Sequence, residues 1–191
     1  MENKNSAFKE YISPILVLVV ICFVTTFLLA FTYGITAPII AENTAKAASE
    51  ARMELLPDAD NFTASDAQLF VLEEGKVYTE DCYVADNGTG MVVTVKSNSY
   101  GGMLTAMVGI DKDGAITGVK ITEHADTPGV GTKAHASAHL AQYIGLTELT
   151  SDQVKVDSSV DHVTGASVSS GAVHKAVYCA LEQFKAMGGV N

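Results

Sequence analysis

The sequence has no tryptophan, three cysteines and four prolines among 191 residues, and charged side chains make up only 18% of it. Each shortage excludes something. The cysteines form no C-x-x-C or C-x-x-C-H pair, so attached haem, zinc-ribbon and cysteine-rich iron–sulfur readings have no ligand set. Twelve basic residues against 22 acidic ones leave a net charge of −10. Phosphate backbones are held by concentrated basic surface, so a nucleic-acid partner is excluded. Sparse charge beside 48% apolar residues is the opposite of a disordered composition. The length fits one domain with an appendage and excludes a large multidomain enzyme.

What the chain does have is a long apolar run. No charged residue occurs from Tyr11 to Ala41, and Ile15–Phe31 is the densest part. Such a run is long enough to cross about 30 Å of hydrocarbon as one helix. A cleaved signal peptide would have an apolar core of about 7–15 residues ending at a small-residue site. The nearest A-x-A, Ala45-Lys46-Ala47, lies well beyond the run. The expectation is therefore an uncleaved single-pass anchor over 12–36, after a short N-terminal segment 1–11. Its orientation is nearly tied by charge: Lys4 and Lys9 are offset by Glu2 and Glu10 on one side, and Lys46 and Arg52 follow on the other. The acidic excess lies beyond the span, where anionic headgroups would repel it, which favours an outward-facing domain.

Beyond Pro38, Ala41–Leu56 is rich in helix formers and Pro57 stops it, predicting a helical stalk over 37–60. Short strand-like runs follow, bounded by turn residues: Val71–Leu72, Met91–Val95, Met103–Ile110 and Ile116–Thr122. Asp111-Lys-Asp-Gly114 joins the last two as a hairpin turn. It lacks the third ligand and the downstream glutamate of a calcium loop. Ala172, Val173, Ala176, Val177, Ala180, Leu181 and Phe184 make an apolar stripe at helical spacing, with Gly188-Gly189 as its stop. His174, Lys175, Glu182 and Lys185 are expected on the opposite face. The fold class is α+β: one transmembrane helix, then a domain over 61–191 with an antiparallel sheet and packed helices. Cys22 is a small apolar residue of the span, and Cys82 and Cys179 are the two available to pair in an oxidising compartment.

Two clusters carry candidate chemistry. Asp161-His-Val-Thr-Gly-Ala-Ser167 immediately precedes the last helix. Its hydroxyls fit helix caps, but a helix start with small residues also suits a phosphate, which a hydroxyl there could carry covalently. Gly165-Ala-Ser-Val-Ser169 is close to a nucleophile elbow but lacks its last glycine. A triad of Ser167, His162 and Asp161 would crowd three roles into one turn. The other cluster, His124-Ala-Asp-Thr-Pro-Gly-Val-Gly131, follows a strand. Gly129-Val-Gly131-Thr-Lys-Ala134 fits G-x-G-x-x-A, yet without alternating strands and helices it reads as a tight loop or one shaped for a flat ligand. His135 and His139, lacking the glutamate of H-E-x-x-H, are expected to be two surface histidines on a helix.

Together these residues resemble the covalent FMN-binding domain family. Asp161-x-x-Thr164-Gly165-Ala166-Ser167 is similar to its D-x-x-[ST]-G-A-[TS] acceptor motif, and His124–Gly131 to its H-x-E-T-P-G-L-G loop, with Asp126 and Val130 replacing glutamate and leucine. Tyr100-Gly-Gly102 before a strand is a further likeness. The resemblance implies that a flavin transferase moves FMN from FAD onto Ser167 through a phosphoester. Thr164, Gly165 and Ala166 would then line the phosphate, and Asp161 would serve transferase recognition. The loop of Asp126, Thr127, Pro128, Gly129, Val130 and Gly131 would lie against the isoalloxazine ring. With its single span the chain is similar to the RnfG family of Rnf electron-transport complexes, and to the related NqrC family of the sodium-pumping NADH:quinone reductase. That resemblance implies a one-electron relay in a complex coupling ferredoxin and NAD to Na⁺ or H⁺ transport. It also implies an N-terminus in the cytoplasm, an FMN domain outside the cell (inner) membrane, and other Rnf proteins and membrane lipid as partners. The rival classes are a stand-alone extracytoplasmic flavin reductase and a structural membrane-tethered protein. The latter lacks the Gly-Phe-x-x-x-Glu start of a pilin-type helix.

Overall fold

A computed structural model describes residues 11–190; the expected N-terminal segment 1–11, apart from Tyr11, lies outside them. The chain divides into two compact units, residues up to Ala47 and from Ala48 onward. In the first unit the apolar run is helical, part of a single helix α1 (Ser13–Leu55). Among the described residues it is the one helix long and apolar enough to cross a membrane. The Thr25, Thr32 and Thr36 hydroxyls donate to carbonyls four residues earlier, at 2.8–3.0 Å. These bonds satisfy the threonine hydroxyls within the helix, as an apolar surrounding requires. Pro38 lies inside the helix, so one element covers the stretch that the sequence divides into a span and a stalk. The helix ends just before Pro57.

The second unit is an antiparallel sheet with one long helix. Strands β1 (Phe62–Ala64), β2 (Val71–Glu73), β3 (Val77–Ala85), β4 (Gly90–Ser99), β5 (Gly102–Asp111) and β6 (Ile116–Glu123) form the order β1-β3-β4-β5-β6, with β2 also on β3. Every pairing is antiparallel. Helix α3 (Ser167–Met187) follows the sheet after a short 3₁₀ turn (Gly131–His135), helix α2 (Ser137–Leu140) and a second 3₁₀ turn (Ala141–Tyr143).

Both faces of the central strands are covered, which explains their nearly continuous apolar sequence. On one face Met91, Val93, Val95, Leu104, Ala106 and Val108 meet Val173, Ala176, Val177 and Ala180 of α3. On the other, Val92, Met107 and Ala85 meet Ala51 and Leu55 from the last turns of α1, with Leu56 and Ala59. A fully buried aliphatic side chain in such a layer contributes about 1.5–3 kcal/mol. Gly188, at φ +74°, closes α3 as a left-handed cap, its N–H bonding to the Lys185 carbonyl. The β5–β6 hairpin forms as expected. Asp111 Oδ1 accepts the Asp113 and Ala115 N–H groups at 2.9 and 2.8 Å, so that carboxylate shapes the turn.

Several expectations need correction. Strands β1 and β3 have no counterpart among the predicted elements. His174 does not lie on an outer face: it is fully buried, because Tyr143 and the backbone at Ser151 cover that flank of α3 and take both its ring nitrogens. His135 and His139 do not share a helix or the surface. They stand on successive short elements, the His139 residue 5% and the His135 side chain 8% exposed. Cys82 and Cys179 are free and buried in separate surroundings. Cys82 Sγ lies 3.7 Å from the sulfurs of Met91 and Met187, and burial pushes its thiol up to about 12. Cys179 faces Thr79.

Candidate functional site

The glycine-rich loop, the β4–β5 turn and the first turn of α3 meet at one buried carboxylate. Asp126 follows β6 and is 3% exposed. Its Oδ2 accepts the Ser99 hydroxyl at 2.6 Å and its Oδ1 the Gly101 N–H at 2.8 Å, both from the β4–β5 turn. The Ser169 hydroxyl on the first turn of α3 also bonds to it, and His135 Nε2 stands 3.1 Å from Oδ2. Burial alone would raise the pKa of this carboxyl. The Ser99, Gly101 and Ser169 donors outweigh that and hold it below its ordinary value, so it is ionised at neutral pH. One side chain thus fastens a hairpin turn, a loop and a helix start.

Two glycines make the fastening close. A Cβ on Gly131 would lie 2.8 Å from Asp126 Cβ and 2.9 Å from Ser169 Oγ, and one on Gly101 would lie 2.1 Å from the Ala125 carbonyl oxygen. The loop between is stiffened by its own bonds. Val130 N–H donates to the Thr127 carbonyl, and Gly129 N–H to Thr132 Oγ1 at 2.9 Å. Thr127, Pro128, Gly129 and Val130 are exposed, while Asp126 and Gly131 are buried. The carboxylate therefore faces inward and the rest of the motif faces solvent. The glycine-rich loop leads into a 3₁₀ turn beside a wholly antiparallel sheet, which is not the context of a dinucleotide fold.

The acceptor turn is built differently. Ala166 N–H bonds to the Val163 carbonyl at 3.0 Å, closing a turn whose third residue, Gly165, has φ +84° and so favours glycine. Asp161, Thr164 and Gly165 are exposed. Ala166 occupies the N-cap of α3 with no side-chain cap, and Ser167 is the first helical residue. No threonine or serine of the motif caps this helix, so its leading N–H groups have no partner from within the helix. The half-buried Ser167 has no hydrogen bond from its hydroxyl among the described residues. A free hydroxyl beside uncapped N–H donors and a positive dipole end fits a phosphate.

Beneath this turn lie polar groups the sequence does not disclose. Asp161 N–H donates to Gln142 Oε1 at 2.9 Å, which turns the Gln142 amide NH₂ toward His139 Nδ1 at 3.1 Å. His174 Nε2 lies 2.8 Å from the Ser151 carbonyl, which only accepts, so Nε2 carries the proton and Nδ1 takes the Tyr143 hydroxyl at 3.3 Å. Asp157 accepts the Thr150 and Ser159 N–H groups at 2.8 Å each. Burial lowers the pKa values of His135, His139 and His174, leaving them neutral at pH 7. His162 and Asp161 are exposed and, among the described residues, neither is hydrogen-bonded to Ser167 through its side chain. The serine-hydrolase arrangement has no base in place.

Comparison with known proteins places the chain in a family. Residues 99–182 match the model of an FMN-binding domain, and residues 16–55 that of an RnfG N-terminal region. The G subunit of the ion-translocating oxidoreductase complex of Methanosarcina acetivorans is 30% identical over 95% of this chain and 98% of its own length. Its counterpart in the Na⁺-translocating ferredoxin:NAD⁺ oxidoreductase complex of Acetobacterium woodii is 30% identical over 89% of each chain. That of the proton-translocating ferredoxin:NAD⁺ oxidoreductase complex of Clostridium ljungdahlii is 28% identical over 90% of each. Among solved structures, NqrC of Shewanella oneidensis aligns with a TM-score of 0.47 at 20% identity, over 69% of this chain and 70% of that one.

Proposed function

Because the chain belongs to the RnfG family of ion-translocating oxidoreductase complexes, we propose that it is the membrane-anchored flavoprotein subunit of an Rnf-type ferredoxin:NAD⁺ oxidoreductase. It relays electrons through FMN joined by a phosphoester to Ser167. The observation that carries this reading is the uncapped start of α3, where the free Ser167 hydroxyl stands beside unpaired N–H donors. In maturation the Ser167 oxygen forms the new P–O bond as FAD is cleaved and AMP leaves. Bound FMN supplies one- and two-electron redox chemistry, which no side chain of this site offers.

The chain's own residues hold and orient that group. The backbone of Thr164, Gly165 and Ala166 meets the phosphate, and the exposed Thr127–Val130 stretch meets the ring system. Asp126 fixes the loop from within. Asp161, at the exposed start of the motif, is offered to a flavin transferase. Covalent attachment suits a domain outside the cell, because a dissociating cofactor there is lost.

The topology follows from the same reading. Residues 12–36 cross the cell (inner) membrane once, 1–11 remain in the cytoplasm, 37–60 form the stalk, and 61–191 are the extracytoplasmic FMN domain. Membrane lipid and the other Rnf proteins are its partners. The relay is tested in membranes of cells carrying wild-type chain or Ser167→Ala. Ferredoxin-dependent NAD⁺ reduction coupled to ion uptake is lost in the variant, although the complex assembles. Undiminished activity in an assembled complex lacking this flavin contradicts the relay.

A further inference from the structure

Tyr100 stands apart from the other tyrosines and phenylalanines after Ala48. It is 77% accessible, while each of the others is buried or half-buried. It has no ring partner and no side-chain hydrogen bond among the described residues. Its backbone is nevertheless held firmly. Ser99 on one side and Gly101 on the other both donate to Asp126, and Gly101 lies flush against the Ala125 carbonyl. A large apolar ring presented to water on a pinned turn is informative in a way a loose surface residue is not.

Asp126 places that ring in context. Its contacts include Gly131, next to Val130 at 50% exposure, and Ser169, next to Val168 at 56% exposure. Tyr100, Val130 and Val168 are thus three exposed apolar side chains from three segments, each one residue from a partner of the same carboxylate. Val168 also directly follows Ser167. The segments that carry them converge on Asp126, against the first turn of the helix whose first residue is Ser167.

We propose that Tyr100 stacks on the isoalloxazine ring of the FMN carried by Ser167 and forms the aromatic wall of the flavin site. This rests on the attachment reading above. A phenol ring and an isoalloxazine prefer offset stacking, and the hydroxyl end stays wet while the ring is covered. Stacking also has an optical consequence. An excited flavin in contact with a tyrosine takes an electron from the phenol and returns it within the pair, losing its emission without net oxidation.

The test uses the full chain in detergent after co-expression with a flavin transferase, with loading confirmed by intact mass. Folded wild type is dim and brightens severalfold on denaturation. Tyr100→Leu loads equally and unfolds at the wild-type temperature, yet its folded emission and lifetime rise severalfold; Tyr100→Trp restores the quenching. Equal quenching in wild type and loaded Tyr100→Leu overturns the stacking and leaves the attachment standing. A folded Tyr100→Leu that fails to load also overturns it, assigning the ring to the transferase contact. A wild-type chain left unmodified by a transferase active on a control removes the attachment and this inference together.

Discussion

The Thr127–Gly131 loop and the Asp161–Ser167 turn adjoin the same helix, yet they are held in opposite ways. The loop is fixed from below by a buried, ionised carboxylate with hydroxyl and N–H donors from two other segments. The turn is held through its backbone, by the Ala166–Val163 bond and by the Asp161 and Val163 N–H groups bonded to Gln142 and Ser170. It has a glycine at φ +84° and a Ser167 hydroxyl that bonds to nothing among the described residues. A ligand platform gains from preorganisation, because less ordering remains to be done on binding. A modification site has the reverse need. It must enter the active site of another enzyme, and a serine engaged as a helix cap would first have to be freed. On the proposed attachment, the difference separates the residue that would bear the cofactor from the residues that would position it.

The largest effect is expected on the turn. Ser167→Ala removes covalent flavin completely, whereas Ser167→Thr keeps it; intact mass reads both. Flavin that survives denaturation in the alanine variant would erase the distinction between the two regions. On the loop the loss is of stability. Asp126→Ala strands the Ser99, Gly101 and Ser169 donors and costs about 3 kcal/mol, measured by urea unfolding of the unmodified chain. An unchanged midpoint would show the loop is not pinned.

Acid sharpens the contrast next. His135, His139 and His174 have lowered pKa values in the folded protein, so below the ordinary histidine value of about 6.5 the unfolded chain binds more protons. Their stability contribution is complete above that pH and falls away as pH drops through the lowered values. Asp126 and Asp157 add a second loss in the carboxylate range, because their pKa values are also lowered. His174→Gln flattens part of the first phase; an unaltered profile would remove His174 from the account. The smallest stability change is that of Asp161→Ala, within about 0.5 kcal/mol for an exposed side chain. Its effect falls on the rate of flavin attachment. A large drop in melting temperature would make Asp161 a structural residue instead.

Local patterns made part of this readable in advance. Helix α3 declares itself by its apolar spacing, the β5–β6 hairpin by Asp111–Gly114, and both motifs are contiguous in the chain. Strand β3 was hidden because Glu80-Asp81 interrupts its alternation where the pairing with β4 slips between Thr79 and Asp81. His174 looked solvent-facing because helical periodicity does not disclose a loop covering the second flank. The role of Asp126 was the hardest to foresee. Ser99 lies 27 residues away from it in sequence, and only the fold brings Ser99, Ser169 and His135 to one carboxylate. Motif spacing names the candidate residues, and the hub that joins Ser99, Ser169 and His135 at Asp126 is a product of tertiary structure.

The central claim, a phosphoester between FMN and Ser167, is tested most directly by flavin fluorescence on a denaturing gel with intact mass and peptide mapping, after co-expression with a flavin transferase. The account predicts a fluorescent band, a mass gain of one FMN less one water, and its location on the peptide containing Ser167. A dark band at the unmodified mass, with the transferase active on a control substrate, would contradict it.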